Sequence, residues 1–180
     1  MMYHFSEDPS IRHFEPRLHP SHPDKPAMVW AIDEARAPMY FFPRDCPRVA
    51  FWAKPDTTAD DQERFLAHTA ARMVIAVESR WWQALQNTDL YVYHLPDETF
   101  TCIDEGAGYF TSLEAVTPLS VEPVGDLLAR LGAANVELRL TPSLYPLHDA
   151  LKETSLHFSM IRMRNAIREE EELRRCSTKA

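Results

Sequence analysis

The apolar residues of this chain fall into many short runs, bounded by proline or by polar clusters. Runs of this length with alternating or β-branched residues are typical of strands. They predict strands at residues 2–5, 28–32, 49–53, 73–78, 90–95, 100–103, 118–124 and 135–140. Helical patterns occupy residues 33–37, 59–71, 80–87 and 125–131. Strands outnumber helices and do not alternate strictly with them, which predicts an α+β fold.

The last part of the chain has a different periodicity. Leu156, Met160, Met163 and Ile167 recur at spacings of four, three and four residues, which draws an apolar stripe along a helix. We therefore expect one domain over residues 1–180, with an α+β core at 3–145 and a C-terminal helix at 147–175. The stripe also suits a partner helix or the contact of a homodimer.

Composition excludes several classes of protein. Hydrophobic residues make up 45% of the 180 positions, which is enough for a sizeable core. The net charge of −8 argues against a nucleic-acid partner, because duplex binding needs a cationic face. No apolar run approaches the roughly 20 residues of a membrane span, and no signal peptide is visible. Three widely spaced cysteines predict no disulfide framework, so a cytoplasmic location is expected.

A His-rich loop and two pairs of adjacent acids are candidates for chemistry on their residue types alone. His13, His19, His22 and Asp24 form a His-rich, proline-rich loop that could hold a metal, but they lack a second ligand cluster in sequence. A solvent-exposed loop is the simpler interpretation, and we predict no metal. Adjacent acids at residues 97–98 and 104–105 would point to opposite faces of a strand, so neither pair predicts a general acid/base dyad.

Cys46 is a candidate reactive thiol. Arg44 and Arg48 flank it in sequence, and nearby cations lower a thiol pKa. No histidine lies close to it in sequence, so a catalytic thiol is not predicted.

Three segments remain that carry polar and aromatic residues in a suggestive order. His4 and Ser6 lie two positions apart on the first predicted strand. Trp30 lies on the second predicted strand, and Tyr40 follows it after a short helical segment. Glu114 belongs to a β segment over residues 109–116.

This order resembles the ADP-ribosyltransferase superfamily, in particular its His–Tyr–Glu branch. In that branch an N-terminal strand carries a His followed two residues on by Thr or Ser. A second strand and helix carry spaced aromatic residues, and a late strand carries the Glu. The resemblance spans residues 3–124 and implies an ADP-ribosyltransferase-like mixed or antiparallel β core with short helices.

The resemblance also implies NAD as a cosubstrate and a catalytic role for Glu114 and Tyr40. Cleavage of the nicotinamide–ribose bond passes through an oxocarbenium-like state, as in glycoside hydrolysis. A carboxylate that binds a ribose hydroxyl stabilises this state more than the substrate, and Glu114 would take that role. Tyr40 would stack on the nicotinamide ring, with Trp30 as its partner.

The remaining cofactor contacts would come from the N-terminal part of the chain. His4 would hydrogen-bond the other ribose, beside Ser6 on the same strand, and the adjacent backbone would bind the carboxamide. Arg17, in the proline-rich loop, would bind the pyrophosphate as a bidentate donor.

Two departures from the superfamily pattern bear on the acceptor and on the second strand. Trp30 and Asp33 stand where the superfamily usually has Tyr or Ser-Thr-Ser. Ser112 stands two residues before Glu114, where enzymes that modify arginine have a second acid. An acceptor other than arginine is therefore expected, such as water, a nucleotide or an RNA phosphate.

The chain as a whole more closely resembles a family of small bacterial proteins of unassigned function. The similarity lies in HFSEDPSI, in VWAIDEARAPMYFFPRDCP and in residues 116–118 and 159–166. Two alternatives to NAD cleavage stay open. One is a non-catalytic binding module of related fold, and the other is a hydrolase that acts on a nucleotide-like small molecule through His4, Asp33 and Glu114.

Overall fold

The chain forms two compact units. The computed structural model describes residues 1–18 and 23–168. Of these residues, the first unit comprises 1–18, 23–44 and 88–130, and the second comprises 45–87 and 131–168. Each unit contains one β-sheet.

Short elements make up the described residues. In chain order they are β1 (Met2–Ser6), β2 (Val29–Ile32), a 3-10 helix (Ala37–Tyr40), β3 (Arg48–Trp52), α1 (Ala59–Leu66), β4 (Met73–Glu78), a 3-10 helix (Ser79–Trp81), α2 (Trp82–Asn87), β5 (Tyr91–Leu95), β6 (Thr101–Asp104), β7 (Tyr109–Ser112), β8 (Ser120–Pro123), α3 (Leu127–Ala133), β9 (Val136–Thr141), α4 (Tyr145–Lys152), β10 (His157–Ile161) and a 3-10 helix (Met163–Asn165).

The sheet of the first unit has six strands in the order β6–β7–β2–β1–β5–β8, and all neighbours are antiparallel. One face of this sheet carries an apolar core, which consists of Phe14, Val29, Ala31, Tyr93, Leu95 and Val116. Phe14 and Val116 belong to no strand, but they pair with each other across an isolated bridge. The loop segments on either side of them are thereby held against the sheet.

The sheet of the second unit has four strands in the order β10–β3–β4–β9. β4 and β9 run parallel, whereas β3 pairs antiparallel with both β4 and β10. All six residues of β4 are buried, as expected for a β-branched, apolar central strand. Val49, Phe51 and Val74 of this sheet pack with Leu144, Leu151 and Leu156.

The predicted α+β class is confirmed, and so are the eight predicted strands, each within two residues of its observed bounds. Thr58 is the N-cap of α1, because its side chain accepts a hydrogen bond from the Asp61 N–H. The helix is shorter than predicted, since it ends at Leu66 rather than at residue 71.

The predicted C-terminal helix over residues 147–175 is wrong for most of its described length. α4 ends at Lys152, and residues 157–161 form β10, which pairs with β3. Leu156, Met160 and Met163 still pack into the core of the second unit, so the stripe marks burial but not helix. Residues 169–175 of that prediction lie outside the described residues.

The predicted helix over residues 33–37 is also wrong in position. Residues 34–36 form a turn, and a 3-10 helix follows at Ala37–Tyr40. Pro38 lies at the start of this 3-10 helix rather than at the end of an earlier one. Proline is tolerated there because an N–H at the first helical positions would have no hydrogen-bond partner within the helix.

Candidate functional site: a fork between two strands

β1 and β2 are neighbours in the first sheet, but they pair at one position only. Tyr3 pairs with Ile32, and the register covers no further residue of either strand. Beyond that pair, residues 4–6 continue to pair with β5, and residues 29–31 continue to pair with β7. The two strands therefore separate within the sheet. We call the space between residues 4–6 and 29–30 the β1–β2 fork.

His4 bridges the closed end of the β1–β2 fork. Its Nδ1 lies 3.1 Å from the backbone oxygen of Trp30. A carbonyl oxygen only accepts, so Nδ1 carries the proton and Nε2 presents its lone pair. The imidazole thus replaces a backbone hydrogen bond between β1 and β2, and its Nε2 can accept a hydrogen bond from a hydroxyl group.

The imidazole of His4 is held in its neutral form. Burial lowers its pKa below the usual range, and the hydrogen bond to Trp30 only partly opposes this effect. The positive charges of Arg44 and Arg17 lower the pKa further. At neutral pH His4 is therefore an uncharged hydrogen-bonding group next to two cations.

Aromatic packing fixes the ring of His4 on the core face of the sheet. His4 pairs with Tyr93, and its ring centroid lies 4.7 Å from that of Phe14. Phe14 and Tyr93 meet edge-on at 5.2 Å. The Tyr93 hydroxyl donates to the backbone oxygen of Asp8 at 2.6 Å and accepts from the Ile11 N–H at 3.1 Å. These two hydrogen bonds hold the segment after β1 against this face.

Ser6 and Arg17 lie at the open end of the β1–β2 fork. Ser6 is 2% exposed, and its hydroxyl accepts a hydrogen bond from the Asp8 N–H at 3.1 Å. The side chain of Ser6, which was predicted to bind the cofactor, therefore contacts the turn that follows β1. Arg17 is exposed, and its backbone exchanges two 3.1 Å hydrogen bonds with Met28, which directly precedes β2.

Glu114 follows β7 in an exposed turn. Its N–H donates to the Ser112 hydroxyl at 3.1 Å, and Ser112 pairs with Val29 at the open end of the β1–β2 fork. Two residues later, Val116 joins Phe14 on the core face. Glu114 thus lies on the side of the sheet where the His4 ring lies, with its carboxylate exposed to solvent.

Trp30 and Tyr40 belong to an aromatic group on the other face. Tyr40 stacks on Phe5 at 6.3 Å, and its hydroxyl donates to that of Tyr109 at 3.3 Å. Trp30 contacts Tyr109 edge-on at 6.1 Å. Successive residues of a strand point to opposite faces, so Phe5 and its partners lie opposite the His4 ring.

The structure therefore divides five of the predicted site residues into two groups. His4, Ser6 and Glu114 belong to the core face, and Trp30 and Tyr40 belong to the opposite face. Arg17 lies outside both groups, where it pairs with Met28 before β2. Tyr40 therefore does not share a face with His4 and Glu114, because the pleat of β1 places Phe5, on which Tyr40 stacks, opposite His4. The β1–β2 fork lies between the two groups, because β1 and β2 do not pair beyond Tyr3 and Ile32.

Three contributors to this region were not assigned from the sequence. No role was predicted for Phe5 or Tyr109, although both belong to the segments that carry His4 and Glu114. Arg44 was assigned to Cys46 because it is close in sequence, but its charge acts on His4, forty residues away. No local sequence signal could have shown this electrostatic effect.

Cys46 is a structural cysteine. Its side chain is fully buried, and burial raises the pKa of the thiol to about 12 despite the opposing charge of Arg48. A thiol with this pKa is not an activated nucleophile.

The predicted His-rich loop is described in part. The Nδ1 atom of His13 lies 3.0 Å from the hydroxyl oxygen of Thr117. His19 and His22 lie outside the described residues. Within residues 1–18 and 23–168, no group of three potential ligands is placed to hold a metal.

An α+β protein with a forked antiparallel sheet is the class that these features define. A family model matches residues 3–166, and the chain belongs to that family, a family of unknown function (DUF6886). Comparison with curated proteins gives no match, and neither does comparison with solved structures. Among the described helices, none has the length and apolar character needed to cross a membrane.

Proposed function

We propose that the β1–β2 fork binds NAD and that the chain breaks the nicotinamide–ribose bond, with transfer of ADP-ribose to an acceptor. The single observation that carries this proposal is the separation of β1 and β2 after the pair Tyr3–Ile32, with His4 at the point of separation. Strand edges that do not pair with each other offer backbone donors and acceptors to a planar amide.

The nicotinamide part suits the aromatic side of the β1–β2 fork. Phe5, Trp30, Tyr40 and Tyr109 form a partly buried group there, and aromatic faces hold a heteroaromatic ring by stacking. The carboxamide would pair with the backbone of residues 5 and 30. Tyr40 then contributes from the opposite face to His4, rather than beside it.

The sugar and phosphate parts suit the core side of the β1–β2 fork. The Nε2 of His4 is an acceptor for a ribose hydroxyl, since Nδ1 is committed to Trp30. Arg17 supplies a cation at the open end. Ser6 keeps its hydroxyl proton available as a donor, although its buried position limits it to a group that enters the fork.

Glu114 is the proposed catalytic carboxylate. When the glycosidic bond breaks, its electron pair goes to the nicotinamide nitrogen, and positive charge develops on the ribose. A carboxylate that binds a ribose hydroxyl is favoured more strongly at that point than in the ground state. The acceptor oxygen then bonds to the ribose carbon, and its proton passes to solvent. Because Ser112 replaces a second acid, the proposed acceptor is not arginine.

A binding module without turnover is the second candidate. The observation that favours it is the exposure of Glu114, whose hydrogen bonds within the described part of the chain run through its backbone to Ser112. Electrostatic catalysis works best with groups held in place before the reaction. A carboxylate in an open turn is less preorganised than such a mechanism requires.

Nicotinamide release from NAD separates the two candidates. We expect Glu114→Gln to keep NAD affinity and to slow release by about 10²-fold, the magnitude for loss of one preorganised polar group. Glu105→Gln is the matched control, since Glu105 is an exposed acid in the turn before β7. Binding without release in the parent chain would select the binding module, and absence of NAD binding would refute both.

A further inference from the structure

Four strands lie at sheet edges in the described part of the chain, namely β6 and β8 in the first sheet and β9 and β10 in the second. An edge strand exposes backbone groups that can pair with another chain, and charges, proline or bulges usually block it. β6 has a bulge at residues 102–104, and β8 contains Glu122 and Pro123. β9 carries Glu137 and Arg139, which form an ion pair at 2.6 Å. Three of these four edges are therefore blocked.

β10 is the edge strand that lacks such features. Its five residues, 157–161, include no proline, acid, lysine or arginine, and they pair with β3 at every position without a bulge. Within residues 1–18 and 23–168, no strand pairs with the other side of β10. A regular edge without charged groups is the type of edge that a further strand can extend.

An apolar side chain is exposed on this edge. Phe158 is 37% exposed, although Phe51, its partner in β3, is fully buried. Met160 lies two residues further along the same face, and it packs against the core of the second unit. The core face of this sheet therefore ends in an exposed phenylalanine.

We propose that β10 pairs with β10 of a second copy of this chain, in an antiparallel arrangement centred on Ser159. In this register Phe158 of each copy lies opposite Met160 of the other, and His157 lies opposite Ile161. Directly opposite residues share a face of the sheet, so each exposed phenylalanine ring is covered by a methionine. A thioether also contacts an aromatic ring favourably. The pairing joins two four-stranded sheets into one sheet of eight strands.

A second copy fits this edge because the edge is complementary to itself. The symmetric pairing uses all five residues of both strands and brings no like charges together, since residues 157–161 contain no Asp, Glu, Lys or Arg. A two-fold axis perpendicular to the sheet keeps the apolar cores of both copies on one side, as an isologous dimer allows. The homodimer expected from the helical stripe at residues 156–167 is thereby assigned to a strand edge. This inference concerns the second unit and does not depend on NAD binding.

Sedimentation analysis at physiological ionic strength tests the pairing, because salt screens the repulsion between two chains of net charge −8. At micromolar concentration the parent should have twice the mass of one chain. Phe158→Lys should raise the dissociation constant by about tenfold or more, since each copy would bury a charge opposite Met160. Leu140→Lys is the matched control, because Leu140 is 45% exposed on β9, at the opposite edge of the same sheet. This control should remain dimeric.

Amide hydrogen exchange of the parent chain gives a second measurement that needs no substitution. Alternate amides of residues 157–161 should become more protected as the concentration rises, whereas the amides of β9 should not change. A monomeric mass at every concentration would overturn the inference. So would a dimer that Phe158→Lys weakens no more than Leu140→Lys does. Circular dichroism of both lysine variants verifies that these exposed substitutions leave the fold intact.

Discussion

His4 shows how one side chain can replace a backbone contact. A ladder bond between β1 and β2 would close the sheet, but the imidazole takes the Trp30 oxygen at 3.1 Å instead. The residue thereby terminates the pairing of the two strands and fixes its own tautomer. The chemistry proposed for the fork depends on this tautomer, because only an Nε2 lone pair can accept from a hydroxyl.

His4 should titrate below the usual histidine range of about 6.5. A lowered native pKa means that the unfolded chain binds the proton more readily, so the His4 contribution to stability is complete above pH 6.5. It falls as the pH drops from there to the native pKa. NMR titration of the imidazole should show the low value, and Arg44→Ala and Arg17→Ala should each raise it. A native pKa at or above 6.5 would contradict this account of the residue.

The sequence predicted part of this residue-level picture. The His-x-Ser spacing indicated His4 and Ser6 because both lie within three positions on one strand. The hydrogen bond of His4 to Trp30 and the effects of the Arg17 and Arg44 charges on its pKa span from 13 to 40 positions, and no local pattern encodes them. Tyr40 and His4 lie on opposite faces of the sheet because of the register in which its strands pair. This register depends on β5 and β7 as much as on β1.

At the scale of elements, the strands were predictable because their apolar patterns are local. Residues 73–78 are apolar and β-branched, and they form the buried central strand β4. The helical pattern at residues 156–167 led to a wrong prediction for a physical reason. A four-three-four spacing of buried residues also arises when a short strand is followed by a 3-10 turn, and pairing with β3 decides between the two.

The hairpin between β6 and β7 positions Tyr109 for its contacts with Trp30 and Tyr40. Gly108 ends its turn with a φ of +69°, and a Cβ there would lie 2.6 Å from Arg36 Cγ and 2.7 Å from Asp33 Oδ1. The Gly108 oxygen also accepts from the Asp33 N–H at 3.1 Å. The turn is therefore packed directly against the segment that follows β2.

Gly108→Ala should destabilise the chain more than Gly125→Ala. Gly125 has a φ of +79° but nothing within 4 Å of a Cβ, so alanine there adds backbone strain of about 1 kcal/mol. Steric overlap at Gly108 should add about 1–3 kcal/mol to the same strain. Urea denaturation of both variants measures the difference. Equal losses would mean that Asp33 and Arg36 do not confine this turn.

At the scale of the whole molecule, each unit has its own sheet and core, and the proposed chemistry belongs to the first unit alone. A parallel pair, β4–β9, joins strands from distant parts of the chain in the second unit. Neither the division into two sheets nor this pairing could be predicted, because both arise from contacts between remote segments. The α+β class could be predicted, since it follows from the number and order of local elements.

An amide NMR titration with NAD tests the central claim, that the β1–β2 fork is the ligand site of the molecule. The account predicts saturable shifts centred on residues 4–6 and 29–30, with smaller shifts at Tyr109 and near Glu114. The second unit should be almost unaffected. An absence of saturable shifts, or shifts confined to residues 45–87, would contradict it.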